Sequence, residues 1–554
     1  MSRSISTMAV ICGTLLTTLA SLSALPTAPM PKVVPEAMLD KDITTDVKLW
    51  NSDKFTAPPT KFRQGHANPR KLDAKAIQKL ADGFTVQLPS KAPIPTPTVY
   101  RDKVYVSGGF HSKEFYCFNA SSGALVWAID IDDDGPSAAV CDDSVCVFNT
   151  ESCTLFAVDA DTGKHLWSHW LGDPLTSTPT IANGVVFTSY PANGGGGQFN
   201  GGANGGLNNE PDLQKVPQQL NPPAKPIQKE KDQDKNEKPA KPAKPAAAKQ
   251  KPPCSHVLIA LELKTGKILW QRWIDSDVMS APVATDKELF FTSFGGVVYK
   301  LNQKDGAILS AMRTRATSAP VVVGDDVFFS RRTDKNGADC PVESNVALSQ
   351  QQGKQRGVGG DRAAVYLDAK VQAGNDFAKM NQALDAGNGF GGGAPGAANP
   401  MAAKDNIGYA NVSSMQAFQG SRVLHLAGKN YSCMGDAIVC NDPKTGKELW
   451  NRKLEGDLKK QGGFLGAPPA AAGDDLVVTT LKGDVFRLNA EGKVVKKWET
   501  KSPSRFQAAV ADGRIYIGTQ DGKLICIDTG DKTLTGWTCW GGNPQHTGVG
   551  ATKK

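Results

Sequence analysis

The chain repeats itself, and the repeat leaves few folds open to it. Ala157–Lys164 reads Ala-Val-Asp-Ala-Asp-Thr-Gly-Lys and is followed by Trp167. Ala260–Trp270 carries the same signal as Ala-Leu-Glu-Leu-Lys-Thr-Gly-Lys-Ile-Leu-Trp, and Cys440–Trp450 carries it as Cys-Asn-Asp-Pro-Lys-Thr-Gly-Lys-Glu-Leu-Trp. Phe118–Gly123 leads to Trp127 in the same way. Looser copies stand at Leu301–Gly306, at Leu488–Gly492 before Trp498, and at Ile527–Gly530; Val346–Lys354 is the weakest. One strand–turn–strand signal about every 40 residues marks an array of small sheets.

Each period holds four short strand-like runs separated by turn residues. In the second unit these are Ala138–Val140, Val145–Asn149, Thr154–Asp159 and His165–Leu171. Four strands at this spacing make one propeller blade. The Gly of each Thr-Gly-Lys suits a tight turn with positive φ, and the Trp that follows gives the outer strand an apolar anchor. Small residues before the first strand of a unit, as in Ala281-Pro282-Val283 and Ala319-Pro320-Val321, suit an innermost strand crowded at an axis. The sequence therefore predicts an all-β propeller of eight four-stranded antiparallel blades, or seven if the fifth is broken. Ring closure is expected from Val47–Trp50 or Phe84–Leu88 adding a strand to the last blade, which removes an exposed sheet edge.

These units, with the closing Trp537-Thr538-Cys539-Trp540-Gly541-Gly542-Asn543-Pro544-Gln545-His546-Thr547-Gly548, resemble the PQQ-like (pyrroloquinoline quinone repeat) β-propeller family. That family includes quinoprotein alcohol dehydrogenases and the BamB-like, non-catalytic branch of outer-membrane assembly propellers. The resemblance spans roughly residues 95 to 548 and speaks to the fold; activity depends on sites grafted onto it.

Residues 1–24 read as a secretory signal peptide: Arg3, an apolar run from Met8 to Leu22, and a small-residue cleavage zone at Ala20–Ala24. Cys12 lies inside the apolar run, which argues against a lipoprotein. Residues 25–92 form an N-terminal extension and 93–548 the propeller, with insertions at 192–254 and 355–412. No later run is long and apolar enough to span a bilayer. These readings together expect a periplasmic or secreted protein.

The formal charge of +8 is concentrated locally, with nine Lys against four acids between Lys225 and Lys251. This tract and Gly194–Gly206 before it cannot bury a core, so the first insertion reads as a disordered, extended spacer rather than an arm for an anionic surface. No aromatic residue interleaves the basic tract, and nucleic acid is not an expected partner. In the second insertion Arg362–Ala386 has helix-forming composition, and Phe390 sits in a Gly-rich stretch. Strand parity sends both insertions to one face, opposite the Thr-Gly-Lys turns. Loops on a rigid scaffold carry function, and that face is the candidate binding surface.

Several residues are candidates for chemistry. Asp130, Asp132 and Asp134, with Gly135, open like an EF-hand loop and are the candidate calcium ligands; Cys141 stands where the twelfth-position Glu is expected. His165 and His169 bracket Trp167, although no third ligand accompanies them. Arg313, Arg315, Arg331, Arg332 and Arg505 are candidates for an anion-holding ring at the axial channel, or are separate surface charges. Cys117, Cys440 and Cys526 occupy a strand position that wants a small side chain. Cys141 and Cys146 flank a hairpin turn and are candidates for a disulfide, which an exported protein permits, and Cys254 and Cys340, which border irregular segments, are a second candidate pair. Cys153 and Cys433 fall in similar loops of blades two and six, across the ring from one another.

Quinone-dependent relatives hold pyrroloquinoline quinone in the central funnel with calcium, a catalytic Asp and a disulfide between adjacent cysteines. This chain has no adjacent cysteines and no Cys-x-x-Cys-His haem motif. Nor does it contain a Gly-x-Ser-x-Gly, a His-Glu-x-x-His or a phosphate-binding loop. The sequence therefore expects an exported non-catalytic platform with no cofactor, binding an envelope protein or polymer. The alternative is a PQQ-dependent quinoprotein dehydrogenase oxidising an alcohol or sugar in the periplasm, which would need PQQ with calcium.

Overall fold

The computed structural model describes residues 65–109, 112–150, 154–171, 177–191, 256–333, 342–363, 422–457 and 465–550. They fold into eight antiparallel sheets arranged as the blades of a propeller. In chain order the blades occupy residues 98–131, 140–170, 180–274, 283–313, 321–363, 424–453, 470–499 and 509–528. Helix is confined, among the described residues, to one turn at Ala74–Ala76.

Blade eight is completed by the N-terminal extension. Gly83–Gln87 pairs with Lys523–Asp528 as its outer strand, and Ile77–Leu80 adds a fifth strand beyond it. The second sequence candidate for closure, Val47–Trp50, lies outside the described residues. A further segment, Ala67–Pro69, pairs with the outer edge of blade one.

Each well-formed turn is built by its own side chains. In blade two, Asp159 Oδ1 accepts from the backbone N–H and the hydroxyl of Thr162 at 2.8 and 2.7 Å, and Gly163 follows with φ +70°. Asp442 and Thr445 repeat this in blade six.

The tryptophans act between blades. Nε1 of Trp127 donates to Ala160 O at 3.0 Å, that of Trp167 to Leu263 O at 2.8 Å, and that of Trp270 to Gln303 O at 2.8 Å. Trp450 does the same to Ala490 O at 2.9 Å. Each acceptor belongs to the turn of the next blade. The turn glycine there lies flat under the indole, because a Cβ on Gly163, Gly266, Gly306 or Gly492 would sit 2.5 to 2.7 Å from ring carbons. The motif Asp-x-x-Thr-Gly-Lys-x-x-Trp thus encodes both halves of a lock, with the indole on one blade and its seat on the following one.

Where the tryptophan is missing, something else takes its place. Phe84 of the closing strand fills the seat at Gly123, and in blade five the backbone at Gly357 and Val358 closes on Gly446.

The outer strands of six blades also carry a bulge just after the turn. Phe118 pairs with Leu125 while Cys117 pairs with Trp127, which leaves Val126 unpaired in register. Leu166, Leu269, Leu309, Leu449 and Val495 hold the same position in blades two, three, four, six and seven. All six are exposed. Bulges twist an edge strand away from further pairing, which suits a molecule with this many sheet edges.

One sequence boundary moves. Gln355–Ala363 is the outer strand of blade five, paired with Val342–Ser349, so the propeller takes in residues 355–363, with which the second insertion was expected to begin. Its Gly-rich composition hides the strand: the Gly357 carbonyl closes on the turn glycine Gly446, and Gly359 lies against the Asn345 and Asn441 side chains. The helical expectation for Arg362–Ala386 fails at Arg362 and Ala363, which lie in this strand; the remainder, with Phe390, lies outside the described residues.

Candidate functional site

Both insertions leave the propeller on one face. The first departs after Val185–Pro191 and returns at His256–Glu262, the second and third strands of blade three. The second departs after Gln355–Ala363 and returns before Leu424–Leu426, between blades five and six. Four of the five predicted arginines hold backbone positions toward this face, in or next to blades four and five. Arg313 ends the outer strand of blade four, Arg315 follows it, and Arg331 and Arg332 end the second strand of blade five. A bridge joins Ala316 to Arg331, and Arg331 is buried. Arg505 stands apart in the connection from blade seven to blade eight, where burial pushes its pKa down to about 10.

The three aspartates end on different partners. Asp130 pairs with Arg70 at 3.1 Å, Asp132 accepts from the His66 N–H at 2.8 Å, and Asp134 lies 3.6 Å from Lys113. The carboxylate between them, Asp133, accepts from the Thr150 hydroxyl at 2.7 Å.

His165 and His169 do not share a side. The bulge at Leu166 turns His165 toward Ser168, with Nε2 3.0 Å from its Oγ, while His169 packs beside Trp167 and sets Nε2 2.7 Å from Gly266 O. Simple alternation, which predicts one side for both, misses the extra residue. Among the described residues no three His, Cys, Asp or Glu side chains converge as a metal site.

Cys117, Cys440 and Cys526 are buried packing residues. Desolvation raises all three thiols, Cys440 to about 11 and Cys526 to about 12. Cys141 and Cys146 face each other across the Asp143–Ser144 turn as buried free thiols. Cys433 lies buried within the second strand of blade six, Lys429–Met434, not in the loop that follows it. Cys153, Cys254 and Cys340 lie outside the described residues.

The axis holds a feature with no counterpart in the repeat. After the last blade, residues 534–550 run along the inner strands of successive blades. Val510 N–H donates to Trp537 O at 2.6 Å, Val99 to Thr538 O at 2.6 Å, and Ile181 to Pro544 O at 2.9 Å. Ala284 donates to Gln545 O and His425 to Gly548 O, both at 3.0 Å. The segment thus satisfies inner-strand N–H groups of blades eight, one, three, four and six, which would otherwise face the channel unpaired. Trp540 packs against Ala281 and Ala319 at the entrances of blades four and five, which explains the small residues there. Glycines at 541, 542 and 548, with φ of +73°, +99° and +69°, permit the reversals. The non-periodic Trp-x-x-Trp-Gly-Gly-Asn-Pro stretch, followed by no further Thr-Gly-Lys, was the available sign of this segment.

His546 is fully buried in it, with Nδ1 2.6 Å from Trp540 O and Nε2 2.9 Å from Pro179 O. A neutral imidazole carries a single N–H and can donate to one carbonyl only. Desolvation, with Arg422 adding to it, outweighs the two carbonyls and lowers the pKa to about 4. His256, buried in blade three, is lowered by desolvation to about 3. A histidine kept neutral in the fold and free to protonate when unfolded makes the unfolded chain bind more protons below its ordinary pKa of about 6.5. Stability from these two groups is therefore complete above about pH 6.5 and lost progressively as pH falls toward 4. Urea midpoints measured from pH 7.5 to 4.5 are expected to fall, and the fall should be shallower in His546→Gln. An identical profile in the variant would remove His546 from this account.

The family model described as outer membrane protein assembly factor BamB matches residues 111–201, 255–357 and 434–548, together more than half of the chain. No curated protein matches by sequence. Among solved structures, BamB from Moraxella catarrhalis is similar at 14% identity, covering 82% of this chain and 99% of that one with a TM-score of 0.43. A quinohemoprotein alcohol dehydrogenase from Pseudomonas putida is similar at 11% identity over 81% of this chain and 77% of its own, with a TM-score of 0.44. The computationally designed protein Ika8 aligns at 12% identity over 79% of this chain and 96% of its own, at 0.47. With the inter-blade locks and eight blades in place, the matched repeats make this chain a member of the PQQ-like, BamB-type β-propeller family.

Proposed function

We propose that the protein is an exported, non-catalytic propeller that serves as a binding or assembly platform in the cell envelope. The observation that carries the reading is the axial segment. Enzymatic propellers of this kind are expected to hold their quinone on the axis, and here residues 534–550 pair with inner strands of five blades around it. Trp540 and His546 are packed there, both nearly inaccessible. The two insertions on one face supply the reach for a protein or polymer partner across blades three to six. Family membership, with BamB in the description of the matching model, supports an interaction role. The absence of adjacent cysteines and of a haem motif weighs the same way.

The test is a titration of the purified protein, processed as the signal peptide predicts, with PQQ and calcium, followed by a dye-linked alcohol oxidation assay. No saturable binding and no turnover are expected. Turnover that depends on both additions would replace the platform with the dehydrogenase reading.

A further inference from the structure

Arg422 leads into the inner strand of blade six and is 1% exposed. Its guanidinium lies over the Trp540 ring, 4.5 Å from the centroid. Only Nη2 is occupied: it donates to Pro320 O at 3.3 Å and to His546 O. Nε and Nη1 are buried with no acceptor, and so is the indole Nε1 of Trp540. A Cβ on Gly541 would stand 2.5 Å from Nη1, so only a glycine lets the guanidinium pack against the backbone there.

The charge is uncompensated as well. Among the described residues no carboxylate lies within ion-pair distance of Arg422. The ionisable neighbours are Cys539, whose thiol burial raises to about 12, and His546, which burial keeps neutral. Desolvation lowers Arg422 itself to about 9, which leaves it cationic at neutral pH. A buried cation with two idle donors and an idle indole N–H beside it is costly unless an anion completes it. The unsatisfied N–H groups of Arg422 suit a guest that only accepts hydrogen bonds. Near-complete burial limits that guest to a few atoms.

We propose that the axial segment holds a small monoanion, of halide or formate size, against Arg422 beside Trp540. The anion joins the C-terminal segment to blade six and acts as an internal brace, and this inference stands whether or not the platform reading does. Its chemistry differs from that of the arginines on the insertion face, which lie near blades four and five.

The experiment is thermal unfolding of the full chain as chloride is replaced by gluconate at constant ionic strength. A ligand bound only by the folded state raises the midpoint with concentration. The wild-type midpoint should rise by roughly 2 °C or more with chloride, and Arg422→Met should show no chloride dependence. An equal rise in the variant, or none in the wild type, would overturn the proposal in favour of a hydrated guanidinium. Should Arg422→Met fail to fold, bromide-soaked crystals of the wild type decide the matter. An anomalous peak within hydrogen-bonding distance of Arg422 Nε or Nη1 is expected, and its absence overturns the site.

Discussion

A chain begun at residue 89 is expected to lose its cooperatively folded monomer and to appear as aggregate or as higher oligomers. The truncation removes Gly83–Gln87, the outer strand of blade eight, which lies between Ile77–Leu80 and Lys523–Asp528. Phe84, Val86 and Leu88 are all buried, and Phe84 sits against the turn glycine of blade one. Burial of three such side chains is worth about 5–9 kcal/mol, against a typical whole-domain stability of about 5–15 kcal/mol. The cut also exposes the edge of Lys523–Asp528 and the seat at Gly123 together, a ready template for pairing with another copy. A start at residue 71 is the control. It removes Ala67–Pro69 and the contacts of Gly65, His66 and Arg70 from blades one and two but keeps the closing strand, and should leave a monomer. Phe84→Ala alone should cost about 3–5 kcal/mol. Light scattering with thermal unfolding separates the outcomes. If the chain begun at residue 89 remains monomeric with an unchanged midpoint, the ring closes by other means.

Phe84–Leu88 was legible as a closing strand because it alternates, with Phe84, Val86 and Leu88 buried on one side. The blade count, the turn chemistry and the shared face of the insertions follow equally from short-range signals that recur. What stayed hidden was relational. Trp167 reads as an anchor for its own strand, and only the assembled ring shows that its indole belongs to the next blade's turn. The Leu166 bulge is one residue long and leaves no mark in composition, yet it reverses His165 relative to His169. Gln355–Ala363 looks like a linker because its glycines mask the strand pattern, although Gln355 and Val358 are buried and Gly357 and Gly359 lie against blade six. At the axis no repeat could help. The segment after blade eight occurs once, and its partners come from five blades spread through the chain. Arg422 carries no sequence signal at all, because what distinguishes it is that no charge partner meets it among the described residues of the folded chain.

The lock between blades yields the second large effect. Trp167→Ala should destabilise the protein by about 3–5 kcal/mol, through lost burial and an unfilled cavity over Gly266. Gly266→Ala meets two obstacles. Its φ of +68° costs an L-residue about 1–2 kcal/mol, and a Cβ 2.6 Å from the Trp167 ring forces repacking worth about 1–3 kcal/mol more. With the indole gone, only the backbone obstacle remains. Gly266→Ala in the Trp167→Ala background should therefore cost about 1–2 kcal/mol, which gives a coupling of about 1–3 kcal/mol in the double-mutant cycle. Gly184 separates the two causes. It has φ +72° and open space around its Cβ position, so Gly184→Ala should pay the backbone cost alone. Additivity between the Trp167 and Gly266 changes, measured by urea unfolding, would mean that the contact is passive. Coupling near the clash energy, with Gly184→Ala behaving like Gly266→Ala in the absence of tryptophan, would establish that each turn glycine is held by the preceding blade. In that case the repeat is maintained by pairs of positions lying in neighbouring units, and a blade lacking its tryptophan, as blade five does, weakens the unit that follows it.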